Sequence, residues 1–209
     1  QDLINIFYTI LNSGWDNFSF YCNKEYKTCK KDINDIINDA NILPSINNYV
    51  HPFNSYASFS ISVNNFGKVN VTIERIYTDE IISVLNKKIK EIESNIITNN
   101  MDNKEKIKAV HDYIINNTKY DEEKEYTEIN GIKNYKNKSN IAYGPLINSK
   151  AICGGYTDAM SIILYDLGIY NFKISNDNHV WNVINIDDKW LNTDLTWDDP
   201  LTNTKEDVL

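Results

Sequence analysis

The sequence predicts an α+β protein built from helices and antiparallel hairpins. Two strand-like runs, Tyr56 to Val63 and Val69 to Ile76, flank the turn-forming residues 64–67 and are typical of a hairpin. A second alternating run, His179 to Ile186, is followed by Asp187-Asp188 and a returning strand at Lys189 to Leu195. Segments with a helical period separate these hairpins.

Four helices are predicted in the first 120 residues from the spacing of their apolar residues. Ser13-Gly14 ends the first helix, and the second stops before Pro44. Thr98-Asn99-Asn100 separates the third from the fourth. The predicted ranges are Leu3–Leu11, Asp32–Ala40, Thr78–Ile97 and Lys104–Asn116.

The break near residues 98–101 is the best boundary that the sequence offers. It predicts an N-terminal α+β accessory region at residues 1–100 and a second domain at residues 101–209. Within the second domain, the stretch from Asp121 to Ser139 is polar and aperiodic, which indicates a surface loop.

Composition excludes several classes of partner. The formal net charge is -8 and the pI is near 4.9, which disfavours binding to a phosphate backbone, so we expect no nucleic-acid partner. No stretch reaches the roughly 20 apolar residues of a membrane span. The N-terminus carries no signal-peptide pattern, and the sequence leaves open whether such a peptide has been removed.

The three cysteines form an odd set. Cys22 and Cys29 lie close together among turn-forming polar residues and could close a short loop, whereas Cys153 has no nearby partner in sequence. The sequence leaves open whether Cys22 and Cys29 are bonded or reduced. A bond would place the protein in an oxidising location outside the cytosol.

Cys153 lies at the predicted start of a helix. The apolar residues of positions 157–167 form one stripe, and Gly168 is the expected stop. Free backbone N–H groups and the helix dipole at such a position stabilise a thiolate. The same N–H groups can hold an oxyanion, and Gly154 and Gly155 would let a substrate approach closely.

The hairpin after Cys153 places a histidine and a carboxylate together. His179 and Trp181 share one face of their strand because side chains alternate. With a two- or four-residue turn at Asp187-Asp188, Asp194 falls opposite Trp181 and becomes a diagonal neighbour of His179, within side-chain reach. A carboxylate there would fix the imidazole tautomer.

Each of these residues also has an ordinary structural interpretation. A cysteine before a helix is usually a small buried apolar residue, a strand histidine is usually structural, and an aspartate near a strand end is commonly a cap. The joint arrangement of thiol, histidine and carboxylate is what favours a nucleophilic site.

Three ordered segments resemble the transglutaminase-like superfamily, in particular its bacterial and often secreted members. A helix at Ile107–Ile114 precedes them. The nucleophile segment comprises 142–146 and 150–159, the histidine segment is His179-Val180-Trp181-Asn182, and the aspartate segment runs from Trp190 to Pro200. The sequence departs from the family pattern at Gly154, and it stops at Leu209, where relatives continue with a further strand.

The resemblance implies a papain-like α+β core, with the nucleophile at a helix N-terminus packed on an antiparallel sheet. It implies a catalytic triad of Cys153, His179 and Asp194, with Tyr143 as a further candidate for the oxyanion site. The implied activity is acyl transfer on a carboxamide or peptide bond through a thioester, as a protease, an amidase or a crosslinking enzyme. We expect a protein or peptide substrate, an extracellular or cell-surface location, and no cofactor or metal.

Two other functions fit the same residues. A cell-surface binding module could retain the fold without catalysis, although a scaffold needs none of the three triad residues. Cys153, His179 and Asp194 could instead bind zinc. Thiol reactivity separates the first alternative from the enzyme, and metal content separates the second.

Overall fold

A computed structural model describes residues 2–129 and 131–199 of the protein. Its contacts divide the chain into two compact units, Gln1–Thr78 and Asp79–Leu209. Both units combine helices with antiparallel strands, which confirms the predicted α+β class. The boundary predicted at residues 100 and 101 falls between two helices of the second unit.

The first unit is a three-stranded antiparallel sheet with three helices. The sheet order is β1-β3-β2, so the last strand in sequence is central. In chain order the elements are α1 (Asp2–Asn12), β1 (Asn17–Tyr21), α2 (Cys29–Asn38), α3 (Ile42–Tyr49), a 3₁₀ turn (Pro52–Asn54), β2 (Tyr56–Val63) and β3 (Lys68–Arg75).

The apolar faces of these elements form one core. Alternation along β3 buries every second side chain, as expected for a strand with one face on helices. The buried residues are Leu3, Phe7, Ile10, Leu11, Cys29, Ile33, Ile36, Leu43, Ile46, Val50, Val69, Val71 and Ile73. The first unit therefore has a hydrophobic core of its own.

Three details of this unit differ from the prediction. Helix α2 begins at Cys29, before Asp32. Pro44 does not end a helix but lies in the first turn of α3, where a missing N–H costs nothing. Strand β1 was not predicted, because its five residues are too few for a clear period, yet it pairs with β3 over its whole length.

Cys22 and Cys29 form a disulfide across a separation of seven residues. Cys29 begins α2, and Cys22 follows β1 directly. The bond therefore joins the end of a strand to the start of a helix, which settles the pairing that the sequence leaves open. Cys153 is the free cysteine.

The second unit contains a nearly all-buried helix on a three-stranded antiparallel sheet. The sheet order is β10-β9-β8. The elements are α4 (Asp79–Ile96), α5 (Asn103–Asn117), β4 (Lys119–Tyr120), β5 (Tyr126–Ile129), β6 (Ile132–Tyr135), a π-helical turn (Gly144–Asn148), β7 (Lys150–Ala151), α6 (Cys153–Asp166), β8 (Asn171–Ser175), β9 (Val180–Ile186), β10 (Lys189–Thr193) and α7 (Leu195–Asp198).

Helix α6 is the centre of this unit. Every residue from Gly155 to Leu164 is buried, including the polar ones, so the predicted single apolar stripe is wrong: the helix is enclosed on all sides. Gly168 takes a positive φ of 73° just past its end, as expected for a C-terminal stop. Strand β8 follows at once and was not predicted.

The stretch predicted as an aperiodic loop contains a hairpin. Strands β5 and β6 pair in antiparallel register between Asp121 and Ser139. All four residues of β5 are exposed, so the apolar alternation that identifies a half-buried strand is absent. Cross-strand contact between the rings of Tyr126 and Tyr135 holds the pair instead.

No helix within residues 2–129 and 131–199 is both long and apolar enough to cross a bilayer. Residues 200–209 lie outside the described part of the chain.

The disulfide predicts a specific pattern of alkylation. Unreduced, unfolded protein should take up one iodoacetamide group, at Cys153, and protein reduced before alkylation should take up three. Closing so short a loop should stabilise the first unit by about 2–3 kcal/mol, which reduction would remove. Peptide mass spectrometry and urea unfolding with and without reductant measure both effects. Three modified cysteines without reduction would contradict the bond.

Candidate active site

Cys153 is the first residue of α6, and it is a half-buried free thiol. The strand before it, β7, pairs in parallel with β4, with Tyr120 beside Ala151. The backbone N–H of Asp121 donates to the Ala151 carbonyl at 2.8 Å, and the Ile152 N–H donates to the Ser139 carbonyl at 2.9 Å. These bonds fix the peptide groups directly before the thiol, so its position is set by backbone structure on both sides.

The glycines after Cys153 have a different role from the one predicted. A Cβ at Gly155 would lie 2.2 Å from the Ser139 carbonyl oxygen, and one at Gly154 would lie 2.7 Å from the Asn140 oxygen. The missing side chains thus admit the backbone of residues 139–141 to the start of α6. The structure shows this packing role for the two glycines, and the close approach of a substrate stays a prediction.

The first turns of α6 lie against the start of β9. Thr157, one turn after Cys153, donates its hydroxyl to the Val180 carbonyl at 3.0 Å. In return, the side-chain amide of Asn182 donates to the Thr157 carbonyl at 3.1 Å. Cys153 and Thr157 share a helix face, and Val180 follows His179 directly. The start of α6 is therefore bonded to the strand residue that directly follows His179.

The second hairpin brings His179 and Asp194 together. Strands β9 and β10 pair with Lys189 opposite Ile186 and Thr193 opposite Asn182, so the turn has two residues. Asp187 and Asp188 both take positive φ, 50° and 61°, as a two-residue hairpin turn requires. His179 Nε2 and Asp194 Oδ2 are 2.6 Å apart. The pairing predicted from strand parity is confirmed.

The hydrogen bond to Asp194 determines the histidine tautomer. A carboxylate only accepts, so Nε2 carries a proton, and Nδ1 is the nitrogen left for another partner. The ring also stacks on Trp181 at 5.8 Å between centroids and meets the edge of Trp197 at 6.4 Å. Trp197 is 77% exposed, so one wall of the histidine is an accessible aromatic ring.

Asp194 precedes α7 at the helix-cap position, yet its side chain caps nothing. The carboxylate is therefore committed to His179. Two bonds hold the helix that follows: His111 Nε2 lies 3.2 Å from Asp198 Oδ2, and the Tyr156 hydroxyl donates to Asp199 Oδ2 at 2.5 Å. Sequence reasoning missed His111 and Tyr156, because their partners are 87 and 43 residues away.

A cation and a second tyrosine also lie near the nucleophile segment. The Lys124 ammonium is 5.1 Å from the centroid of the Tyr120 ring, beside β7. Its hydrogen bond to Tyr120 raises the pKa of Lys124, and the negative charge of an ionised Cys153 adds a smaller increase. Tyr143 contacts Lys138 through its ring at 5.8 Å, and its oxyanion role stays a prediction.

Residues 90–195 match the family model described as the transglutaminase-like superfamily. The chain belongs to this superfamily. The matched range starts within α4 and ends at Leu195, so it includes Cys153, His179 and Asp194. The resemblance stated from the sequence is confirmed, and the superfamily is one in which catalysis is generally cysteine-based.

Two solved structures are similar to the chain. One is described as the crystal structure of a TGase, with 20% identity, a TM-score of 0.47, and coverage of 73% of this chain and 46% of that one. The other is a proposed cysteine protease from Cytophaga hutchinsonii, with 14% identity, a TM-score of 0.38, and coverage of 67% and 62%. The chain thus spans less than two thirds of either. No curated protein sequence matches it.

In residues 2–129 and 131–199, no group of three or more His, Cys, Asp or Glu side chains is arranged to hold a metal ion.

The packing at Gly155 predicts a large effect of a single methyl group. Alanine in a helix normally stabilises by about 0.5–1 kcal/mol over glycine. In Gly155→Ala the new Cβ would overlap the Ser139 carbonyl, so we expect a loss of about 1–3 kcal/mol or more in the free energy of unfolding.

Gly131→Ala is the control, because a Cβ there meets nothing within 4 Å and only its positive φ carries a cost. Urea unfolding measures both variants. A Gly155→Ala protein as stable as wild type would show that the two backbones do not approach so closely.

Proposed function

We propose that the protein is a cysteine-nucleophile enzyme that transfers the acyl group of a carboxamide or peptide bond through a thioester. Cys153 is the nucleophile, His179 the general base and acid, and Asp194 the group that orients and stabilises the imidazole. The substrate is a protein or a peptide.

One observation carries this proposal: His179 and Asp194 are hydrogen-bonded at 2.6 Å on the strand against which the first turns of α6 pack. The bond uses Nε2 and leaves Nδ1 for the thiol. If His179 had only a structural role, Asp194 would not need to bond it in place of capping α7. Membership of the superfamily supports the same assignment.

The reaction follows from these positions. His179 Nδ1 takes the proton from Cys153 Sγ, and the thiolate forms a C–S bond with the substrate carbonyl carbon. The tetrahedral intermediate collapses as the imidazolium returns its proton to the nitrogen, the C–N bond breaks, and ammonia or an amine leaves. Attack by water, with His179 again as base, releases a carboxylate and regenerates the thiol.

The start of α6 supplies the oxyanion donors. The first backbone N–H groups of a helix have no acceptor one turn earlier, and they carry the positive end of the helix dipole. The amide of Cys153 is the first of these. Tyr143 is a weaker second candidate, because its ring already contacts Lys138.

Hydrolysis is the outcome we favour over crosslinking. A lysine amine can replace water as the acceptor only if the site admits the amine and excludes water from the thioester, which is the narrower demand. The protein is thus proposed to be a protease or amidase. The chemistry requires no cofactor.

We also propose an extracellular or cell-surface location. The Cys22–Cys29 disulfide is compatible with an oxidising compartment, where such bonds persist. A cell-surface protein is then an accessible substrate.

The thiol of the folded protein tests the proposal directly. An ordinary cysteine is only a few per cent ionised at pH 7. At neutral pH we expect iodoacetamide to alkylate Cys153 about tenfold faster than it alkylates an ordinary cysteine. His179→Ala should remove most of that advantage, and Asp194→Ala part of it. Peptide mass spectrometry across a pH series measures the rates.

His51→Ala is the matched control, a histidine replacement in the first unit, and should leave the rate unchanged. Equal, slow rates in wild type and His179→Ala would refute the activated pair. A Cys153 that reacts only after unfolding would favour the alternative of a non-catalytic binding module.

The acceptor is tested separately. A glutamine-containing protein is incubated with the enzyme, with and without a biotin-tagged primary amine. We expect ammonia release or peptide cleavage that the amine does not alter, and none in Cys153→Ala. Dominant incorporation of the tagged amine would instead identify a crosslinking enzyme.

A further inference from the structure

Asp194 is positioned by the helix that it precedes. The carbonyl of Asp194 accepts the backbone N–H groups of Trp197 and Asp198, both at 3.1 Å. A displacement of α7 therefore displaces Asp194. The Asp194 carboxylate makes no capping bond to the helix that follows it, so its direction depends on how that helix is held. Strand β10 holds Asp194 from one side through the pairing of Thr193 with Asn182, and the anchors of α7 hold it from the other.

Tyr156 is the anchor that connects α7 to the helix of the nucleophile. Its ring is 1% exposed, and its hydroxyl reaches Asp199 directly after α7. Burial, together with the hydrogen bond to Asp199, raises the pKa of Tyr156, so the hydroxyl stays protonated and remains a donor. Tyr156 lies three residues after Cys153, which puts both on the same face of α6.

Two further contacts of α7 are of a different kind. Leu195 is 2% exposed. Its burial opposes detachment of α7 but does not fix the orientation of the helix. His111 contacts Asp198 from α5, which carries no member of the triad. Only the bond from Tyr156, among these three, ties the carboxylate segment to the helix that begins with the thiol.

We infer that Tyr156 is a positioning residue that holds Asp194 against His179 by bonding Asp199 at the far end of α7. It touches neither substrate nor reacting atoms and acts through the short helix. This inference rests on the proposed function for its catalytic meaning, while the orientation of the His-Asp pair is a structural property that can be observed without any substrate.

The test removes one oxygen atom. Tyr156→Phe keeps the buried ring and deletes the hydroxyl. In ¹⁵N-labelled protein the three histidines give a simple imidazole spectrum, and His179→Ala identifies the His179 signals. We expect Tyr156→Phe to shift or broaden the hydrogen-bonded Nε2–H signal of His179 and to lower the neutral-pH alkylation rate of Cys153 about tenfold.

Matched variants isolate the hydroxyl. Tyr170→Phe, on a 76% exposed ring, should change neither readout. Asp199→Ala removes the acceptor of the same bond and should change both readouts in the same direction as Tyr156→Phe, and the double variant should change them by less than the sum of the two single effects. Asp199→Asn keeps an acceptor oxygen, so its His179 signal and its Cys153 alkylation rate should be close to those of wild type. These variants decide the matter even if Tyr156→Phe folds poorly.

The outcomes separate the two hypotheses. An unchanged His179 signal in Tyr156→Phe overturns the inference, even if thermal stability falls, because the tyrosine would then be structural only. A changed His179 signal in a protein whose thiol does not depend on His179 would sustain the positioning role and defeat the proposed function. Changes in both readouts support both.

Discussion

The arrangement of the second unit depends on the paired hydrogen bonds between Thr157 and β9. Thr157 is 3% exposed and Asn182 is 1% exposed. If either polar group were buried without a partner, the fold would be destabilised by about 1–3 kcal/mol. Both hydrogen bonds can form in only one register of the helix on the strand. If the contact were only apolar and nonspecific, α6 could slide or rotate on β9, and Cys153 would move with the helix. Further along the helix, Asp158 bonds Lys173, and Ser161 bonds Asn171, in the same buried interface.

Polar packing of this kind explains why α6 is buried beyond the single apolar stripe that its sequence predicts. Its polar residues are turned inward to fixed partners, and its glycines face backbone. The cost is that a helix with so many buried polar atoms depends on every partner being present. The benefit is that the position of Cys153 is specified by hydrogen bonds as well as by shape. Buried Lys173 and Asp158 fit this account, since either charge alone would be strongly destabilising.

Much of this could be predicted from the sequence, and what could not has physical reasons. The pairing of His179 with Asp194 followed from the alternation of side chains and a two-residue turn, both local properties. The β5–β6 hairpin and β1 were not predicted, because exposed or short strands show little alternation of apolar and polar residues. The bond between Tyr156 and Asp199 escaped because it depends on tertiary distance alone. Gly154 and Gly155 were recognised as sites of close approach, but which atoms approach is settled only by the path of residues 139–141.

The backbone bonds at Ala151 and Ile152 have a consequence for how the length of the chain before them can vary. Asp121 and Ser139 bond to the consecutive residues Ala151 and Ile152, so the chain leaves and rejoins the same point. The segment between them can differ in length without altering these two bonds, although Lys124 within it interacts electrostatically with Cys153. A change in the length of this segment would therefore remodel the surface beside Cys153 while the backbone that leads into α6 stays fixed.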